Sequence, residues 1–185
     1  MASFTSLHKK DIENFLALFD VGELSSFQEI VAGIENTNYF VNTTKYDLEQ
    51  QFVLTLVEVA SFSEVPFYTN LTTHLANYGL PVPAPVLTLD GMPFSNLKNK
   101  PALFLPKLPG AHLQKPNAEH CREVGRILGL MHSTLLSSSY QMDNPYNADW
   151  MYTAIEKTDN QFEPELKQLL LHCTEQYEIL ETSTL

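Results

Sequence analysis

Basic residues are scarce in this chain. Eleven Lys and Arg stand against 22 Asp and Glu, a formal net charge of −11. An excess of that sign is repelled by phosphate backbones and anionic lipid, which argues against nucleic acid and membrane surfaces as partners. It selects no substrate, because a solvated acidic surface explains it equally well. No apolar run approaches the roughly 20 residues of a membrane span. The N-terminus lacks a charged region followed by a long apolar core, so no signal peptide is evident. Cysteine is limited to Cys121 and Cys173, each preceded by a histidine, His120 and His172. That spacing matches no compact zinc pattern. Both fall in expected helices, and the expectation is two buried free thiols in a cytosolic protein. No internal repeat or low-complexity tract interrupts the 185 residues, and an apolar content of 44% suits a globular core. The length is enough for one domain, or for one small lobe and part of another.

What is present is organised around Gly33-Ile34-Glu35-Asn36-Thr37-Asn38-Tyr39-Phe40-Val41. A polar turn separates two apolar runs, Phe27–Ala32 upstream and Tyr39–Val41 downstream, and a further run follows at Phe52–Val57. Runs rich in β-branched and aromatic residues, bounded by Gly, Asn and Asp, read as strands. The pattern predicts an antiparallel meander with a polar tip at Glu35–Asn38. Backbone N–H groups at such a tip, joined by the side chains of Asn36, Thr37 and Asn38, can form an anion nest. The same residues are also what an ordinary hairpin turn uses.

Around the tip the chain reads in order. Ser6 is a candidate cap for a first helix with Ile12, Phe15, Leu16 and Phe19 on one stripe, ended by Gly22 and packed outside the sheet. Tyr46–Glu49 is the expected hairpin between the second and third strands. The third strand is apolar on both faces and therefore expected at the sheet centre. A helix over Glu64–Tyr78 tolerates Pro66 in its first turn, buries Tyr68, Leu71, Leu75 and Tyr78, and ends at Gly79. Pro81, Pro83 and Pro85 force an extended passage. Val86–Leu89 then reads as a strand, Asp90-Gly91 as a hairpin turn, and Ala102–Leu105 as the next strand. Helices follow. The first starts at a capping Asn117, with the stripe Val124, Ile127, Leu128, Met131 and Leu135 and a packed His132. A short one covers Asp149–Lys157 with the lone Trp150. The last starts near Pro164 and carries Leu166, Leu169, Leu170, Cys173, Tyr177 and Leu180 on one face.

The tip sequence, together with Phe52-Val53-Leu54-Thr55-Leu56, His74-Leu75-Ala76-Asn77-Tyr78-Gly79-Leu80-Pro81-Val82-Pro83, Lys100-Pro101-Ala102-Leu103-Phe104 and Pro116-Asn117-Ala118-Glu119-His120-Cys121, resembles the homoserine kinases. These are the bacterial enzymes related to aminoglycoside and choline kinases. The likeness runs from about the first helix to about Leu136, as many short motifs in the right order. It implies an α+β fold: a protein-kinase-like small lobe, an antiparallel sheet of about five strands with a packed helix, over residues 1–108. The helical start of a large lobe follows over 109–185. It also implies ATP-dependent phosphorylation of the homoserine hydroxyl in threonine biosynthesis, with ATP and Mg2+ as cofactors, L-homoserine as substrate, and a cytoplasmic location. The nucleotide would meet Gly33, Glu35, Asn36, Thr37, Asn38 and Thr55 at the phosphates. It would meet Pro106, Lys107 and Leu108 at the adenine, in a hinge that local sequence alone reads equally as a Pro-rich loop end.

Two features of the family pattern are absent. Relatives carry a catalytic loop, roughly His-x-Asp followed by Asn, with a later Asp for the metal. None of the six histidines here has Asp two places on. The expectation is a chain that stops before that loop, inactive by itself, with its catalytic residues and Mg2+ ligands beyond Leu185. It is also expected to self-associate through uncovered helix stripes. The second absence is a lysine on the third strand to grip phosphates. No Lys or Arg lies between Tyr46 and Leu97, and Thr55 stands at that place. Lys45 and Lys107 are candidate substitutes. Glu64 is the only carboxylate of the next helix, and without a lysine to pair with, an N-terminal charge favoured by the helix dipole is the better reading of it. The alternatives are a kinase of the same superfamily acting on an aminoglycoside, a sugar or an amino alcohol, and a non-catalytic binding module.

Overall fold

The computed structural model describes residues 5–31, 35–158 and 161–183. The chain divides into two compact units, one ending at Tyr140 and the other beginning at Gln141. Among the described residues no helix is long and apolar enough to cross a membrane.

The first unit is built on a five-stranded antiparallel sheet. Its strands are β1 (Glu23–Ile30), β2 (Thr37–Lys45), β3 (Leu48–Leu56), β4 (Ser95–Leu97) and β5 (Lys100–Pro106), in the order β1-β2-β3-β5-β4. The third strand is central, as its apolar run demands. Two-residue turns close both short hairpins. Tyr46 and Asp47 have φ of 51° and 61°, and Lys98 and Asn99 have 54° and 62°. Positive φ at both positions gives the turn a twist that matches the flanking strands, so the pairing runs to Lys45↔Leu48 and Leu97↔Lys100.

Helix α1 (Lys9–Leu16) covers one face of this sheet. Its start is His8, not Ser6: the His8 N–H donates to the Asp11 carboxylate at 2.9 Å, and Lys98 bonds the same carboxylate at 2.7 Å. Ile12, Phe15, Leu16 and Phe19 meet Tyr39, Val41, Phe52, Leu54, Leu56 and Phe104 in one buried cluster. Phe52 and Phe104 stack there at 4.4 Å. Gly22 follows with φ +82°, and a Cβ on it would lie 2.2 Å from the Thr44 carbonyl oxygen. Only glycine lets the chain pass so close to β2.

Helix α2 (Val65–Asn77) ends as expected. Gly79 donates to the Ala76 carbonyl and Leu80 to the Leu75 carbonyl, the paired bonds of a Schellman ending. Its buried side chains are Val65, Thr69 and Leu75, whereas Tyr68 and Tyr78 are exposed. The stripe expected from the tyrosines is therefore rotated, because a tyrosine edge tolerates water and a valine does not. The strand expected at Val86–Leu89 does not form. Alternate prolines remove donors, and what remains is an extended strap. Val86 N–H bonds the Phe104 carbonyl and Leu89 N–H bonds the Leu18 carbonyl before the turn at Asp90-Gly91. The strand next to β5 is Ser95–Leu97 instead.

Helix α3 (Ala118–Leu135) lies in the first unit. Asn117 caps it: its side chain accepts from His120 N–H, and the His120 ring accepts from Asn117 N–H. No side chain on α3 is buried. His132 and Cys121 are exposed, so neither is the packed residue expected.

In the second unit α4 (Ala148–Lys157) packs on α5 (Pro164–Ser183). Ala148, Ile155 and Thr174 are buried. Cys173 is exposed, against expectation. It lines an apolar cleft of about 480 Å³ with Trp150, Ile155, Phe162, Leu170 and Tyr177.

Candidate functional site

Side chains alternate across a strand, so the register assigns each residue to a face. Thr37, Tyr39, Val41, Phe52, Leu54, Leu56, Ala102 and Phe104 share the face covered by α1. The second face carries Ile30, Asn38, Phe40, Val53, Thr55, Leu103 and Leu105. Thr55 is buried and the others are half-buried. This is a shallow apolar surface, flanked by polar groups at both ends.

At one end Thr55 donates its hydroxyl to the Asn38 carboxamide oxygen at 2.7 Å, and the Asn38 amide reaches the Asn36 carbonyl at 3.2 Å. At the other end Lys107 lies 5.1 Å from the centre of the Phe40 ring and bonds the Gln51 side chain at 3.2 Å. Thr55 pairs with Leu103 and Phe52 with Pro106. Three residues of strand separate these levels, about 10 Å. An apolar strip of that reach, polar at both ends, matches the length of a flat base.

The structure brings Asn38 and Thr55 together at the first end, beside Asn36, and places Lys107 at the second; Pro106, opposite Phe52, turns to the α1 face. Leu108 follows as an exposed residue. Gly33 lies outside the described residues. Glu35 opens the described part of the loop and is exposed. Of the two substitute lysines, Lys107 is on this face. Lys45 is at the opposite end of β2, paired with the Asp20 carboxylate at 2.6 Å. Glu64 turns to the Ser61 N–H at 2.7 Å and hydroxyl at 2.6 Å. Those bonds hold its carboxyl below the ordinary value.

Thr37 is on the α1 face, not the second face. Its hydroxyl donates to Glu58 at 2.5 Å and accepts from Thr5 N–H at 3.0 Å. Glu58 also accepts from Thr5 N–H at 3.2 Å, is bonded by the Lys100 ammonium, and gives its own N–H to Asn36 Oδ1 at 3.2 Å. Burial alone would raise the Glu58 carboxyl; the bonds from Lys100, Thr37 and Thr5 outweigh it and hold the group below its ordinary value. Sequence reasoning missed Glu58 and Lys100 as a pair. The signal was period-2 parity: Leu54, Leu56 and Glu58 continue one face, as do Lys100, Ala102 and Phe104.

Among the described residues no three His, Cys, Asp or Glu side chains gather as a cation site would need. The second face fits a nucleotide through its apolar middle, the loop backbone at 35–38 and the Lys107 ammonium, but these residues do not fit magnesium.

Residues 26–178 match the family described as "Phosphotransferase enzyme family". The chain is similar to the homoserine kinase of Pseudomonas aeruginosa strain PAO1, 41% identical over 152 residues that make up 82% of this chain and 46% of that protein. It is similar to the homoserine kinase of Cupriavidus necator, 37% identical over 170 residues, 92% of this chain and 49% of that protein. The chain thus spans about half the length of the curated relatives it matches. Among solved structures, a spectinomycin phosphotransferase in complex with ADP and spectinomycin superposes with a TM-score of 0.64 at 17% identity, covering 86% of this chain and 48% of that one. An amicoumacin kinase in complex with AMP-PNP and Ca2+ gives 0.61 at 16% identity, over 85% and 55%. The sheet, its flanking helices and the match across residues 26–178 lead to one conclusion: the chain belongs to the phosphotransferase enzyme family.

Proposed function

We propose that this chain is the nucleotide-binding side of a kinase that transfers the γ-phosphoryl group of ATP to the hydroxyl of L-homoserine, giving O-phosphohomoserine for threonine biosynthesis in the cytoplasm. The observation that carries the nucleotide half is the second face of the sheet, with the Asn38–Thr55 pair at one end and Lys107 about 10 Å away at the other. The homoserine half is supported by the likeness to homoserine kinases at 37–42% identity.

In this reading residues 1–108 form the nucleotide lobe and 109–185 begin the lobe that receives the acceptor. The adenine lies along Val53, Leu103 and Leu105, framed by Pro106–Leu108. The phosphates meet Gly33 and the segment Glu35–Asn38. Asn36 and Thr37 spend their side chains on Glu58, so they present backbone to the ligand and are held in place from behind. Lys107 lies at the adenine end, so it does not supply the positive charge that the strand position of Thr55 lacks. Phosphoryl transfer also requires magnesium and a group to orient the attacking hydroxyl. No His-x-Asp occurs in this sequence. In a protein of the relatives' length, those groups come from the part that this chain does not match.

A second acceptor class, a cationic substrate such as an aminoglycoside, is compatible with the net charge of −11, which does not decide between the two. The test is an assay of the complete gene product with Mg-ATP and a panel of homoserine, serine, choline and aminoglycosides. Phosphorylation of homoserine above all others is expected; preference for an aminoglycoside establishes the second reading. The 185-residue chain alone is expected to bind Mg-ATP weakly, because affinity drawn from part of a ligand shell falls steeply. A calorimetric site tighter than about 1 µM, or roughly 8 kcal/mol, would overturn that.

A further inference from the structure

We propose that Glu58 and Lys100 are a positioning pair that sets the loop at residues 35–38 for nucleotide from the opposite side of the sheet. This rests on the nucleotide reading of the second face.

Glu58 holds two consecutive loop residues by different means. Its backbone N–H is given to Asn36 Oδ1 at 3.2 Å, and its carboxylate takes the Thr37 hydroxyl at 2.5 Å. The next residue, Asn38, is on the second face and takes the Thr55 hydroxyl at 2.7 Å. The loop is thus gripped from both faces over three residues. Rotation at any one of them breaks a bond on one side or the other.

The carboxylate is itself engaged at both oxygens. Oε1 accepts from the Thr37 hydroxyl and Thr5 N–H, and Oε2 accepts from the Lys100 ammonium. The ammonium also donates to the Thr5 hydroxyl at 2.7 Å. Only 7% of the Glu58 side chain is exposed. A charge buried that far costs several kcal/mol unless every lone pair is met. Stability at this place would be served as well by another apolar residue continuing Leu54 and Leu56. An ion pair with directed bonds adds a fixed geometry that an apolar contact lacks. Lys100 points to the α1 face with its charge balanced by Glu58. It therefore acts through the loop, and is no replacement for the absent strand lysine.

The experiment uses the complete gene product carrying Glu58→Gln, Lys100→Met, both together, or Lys100→Arg, with Leu56→Val as a nearby control that trims the same face without touching the network. Amide hydrogen exchange at residues 35–38 is measured without nucleotide, and KM for ATP, KM for acceptor and kcat are measured with it. Glu58→Gln and Lys100→Met are expected to speed loop exchange and raise the ATP KM by about tenfold each relative to the control, with acceptor KM unchanged. The double variant should be no worse than the worse single, since the pair acts as a unit. Lys100→Arg should restore both readouts to within about threefold of wild type. If Glu58→Gln does not fold, Lys100→Met and its Arg counterpart decide the matter. Loop exchange and ATP KM that move no further than in Leu56→Val would overturn the pairing role, while wild-type turnover would leave the kinase reading intact. A wild type that uses no ATP would overturn the kinase reading and the nucleotide half of this one. The exchange rates then still decide whether the pair orders the loop.

Discussion

Val41, Leu54, Leu56 and Phe104 in the sheet are completely enclosed, whereas α3 buries no side chain and α5, among its described side chains, buries only Thr174. Both regions carry apolar stripes of the right period. The sheet finds its cover within a few dozen residues, in α1 and in the neighbouring strands. Val124 and Leu128 on α3, and Leu166 and Leu169 on α5, remain exposed. A stripe tells which face seeks burial; whether it is buried depends on a second element. The sheet is therefore expected to carry its own stability, and the exposed stripes to carry little.

The sharpest way to break that contrast is truncation. Phe104→Ala should cost about 3–5 kcal/mol, since it empties a site ringed by Phe15, Phe19 and Phe52. Leu128→Ala on α3 should stay within about 0.5 kcal/mol. Urea denaturation of the two variants checks both, and comparable losses would show α3 to be packed. Next in size is Gly22→Ala, at about 2–4 kcal/mol, because the new Cβ would meet the Thr44 carbonyl at a positive φ. A melting temperature equal to wild type would show that β1 can move away.

Acid sharpens the comparison within the sheet. The folded-state pKa of Glu58 is lowered from its ordinary 4.5. Its contribution is therefore complete above that value and is lost as pH falls through the lowered one. Asp11 and Glu64 are lowered as well, by Lys98 and Ser61, and add to the same acid limb. Subtracting Glu58→Gln from wild type isolates the pair: the difference in stability should be flat from pH 7 to about 5 and shrink below it. A difference that grows toward low pH would reverse the assignment. For the helices, light scattering of the 185-residue chain should show self-association at high concentration, reduced by Leu169→Lys, as an uncovered apolar patch predicts. A clean monomer would count against it. The smallest effect is a gain. Thr43 is fully enclosed with no partner for its hydroxyl among the described residues, so Thr43→Val should stabilise by about 1 kcal/mol in thermal melts.

Much of the fold was legible because local rules decide it. Alternation and turn residues marked the strands, Asn117 and Gly79 marked helix ends, and the tip was visible as a polar break in an apolar meander. The misreadings share one cause. Val86–Leu89 looked like a strand by composition, but a strand needs a partner for every second N–H, and the proline strap leaves it tied at single points to Phe104 and Leu18. Cys121, Cys173 and His132 looked packed because their helices are amphipathic, yet nothing among the described residues encloses them.

At the candidate site, the residue types at 35–38, the threonine at position 55 and the want of a lysine there follow from sequence alone. Which face each side chain occupies follows from tertiary structure. Thr37 and Asn38 are neighbours of the same polar character in the chain. Register sends Thr37 inward to Glu58 and Asn38 outward to Thr55. Lys100 is 42 residues from Glu58 in sequence. Only the pairing of β5 beside β3 sets one against the other, because the energy of an ion pair depends on distance in space and not along the chain.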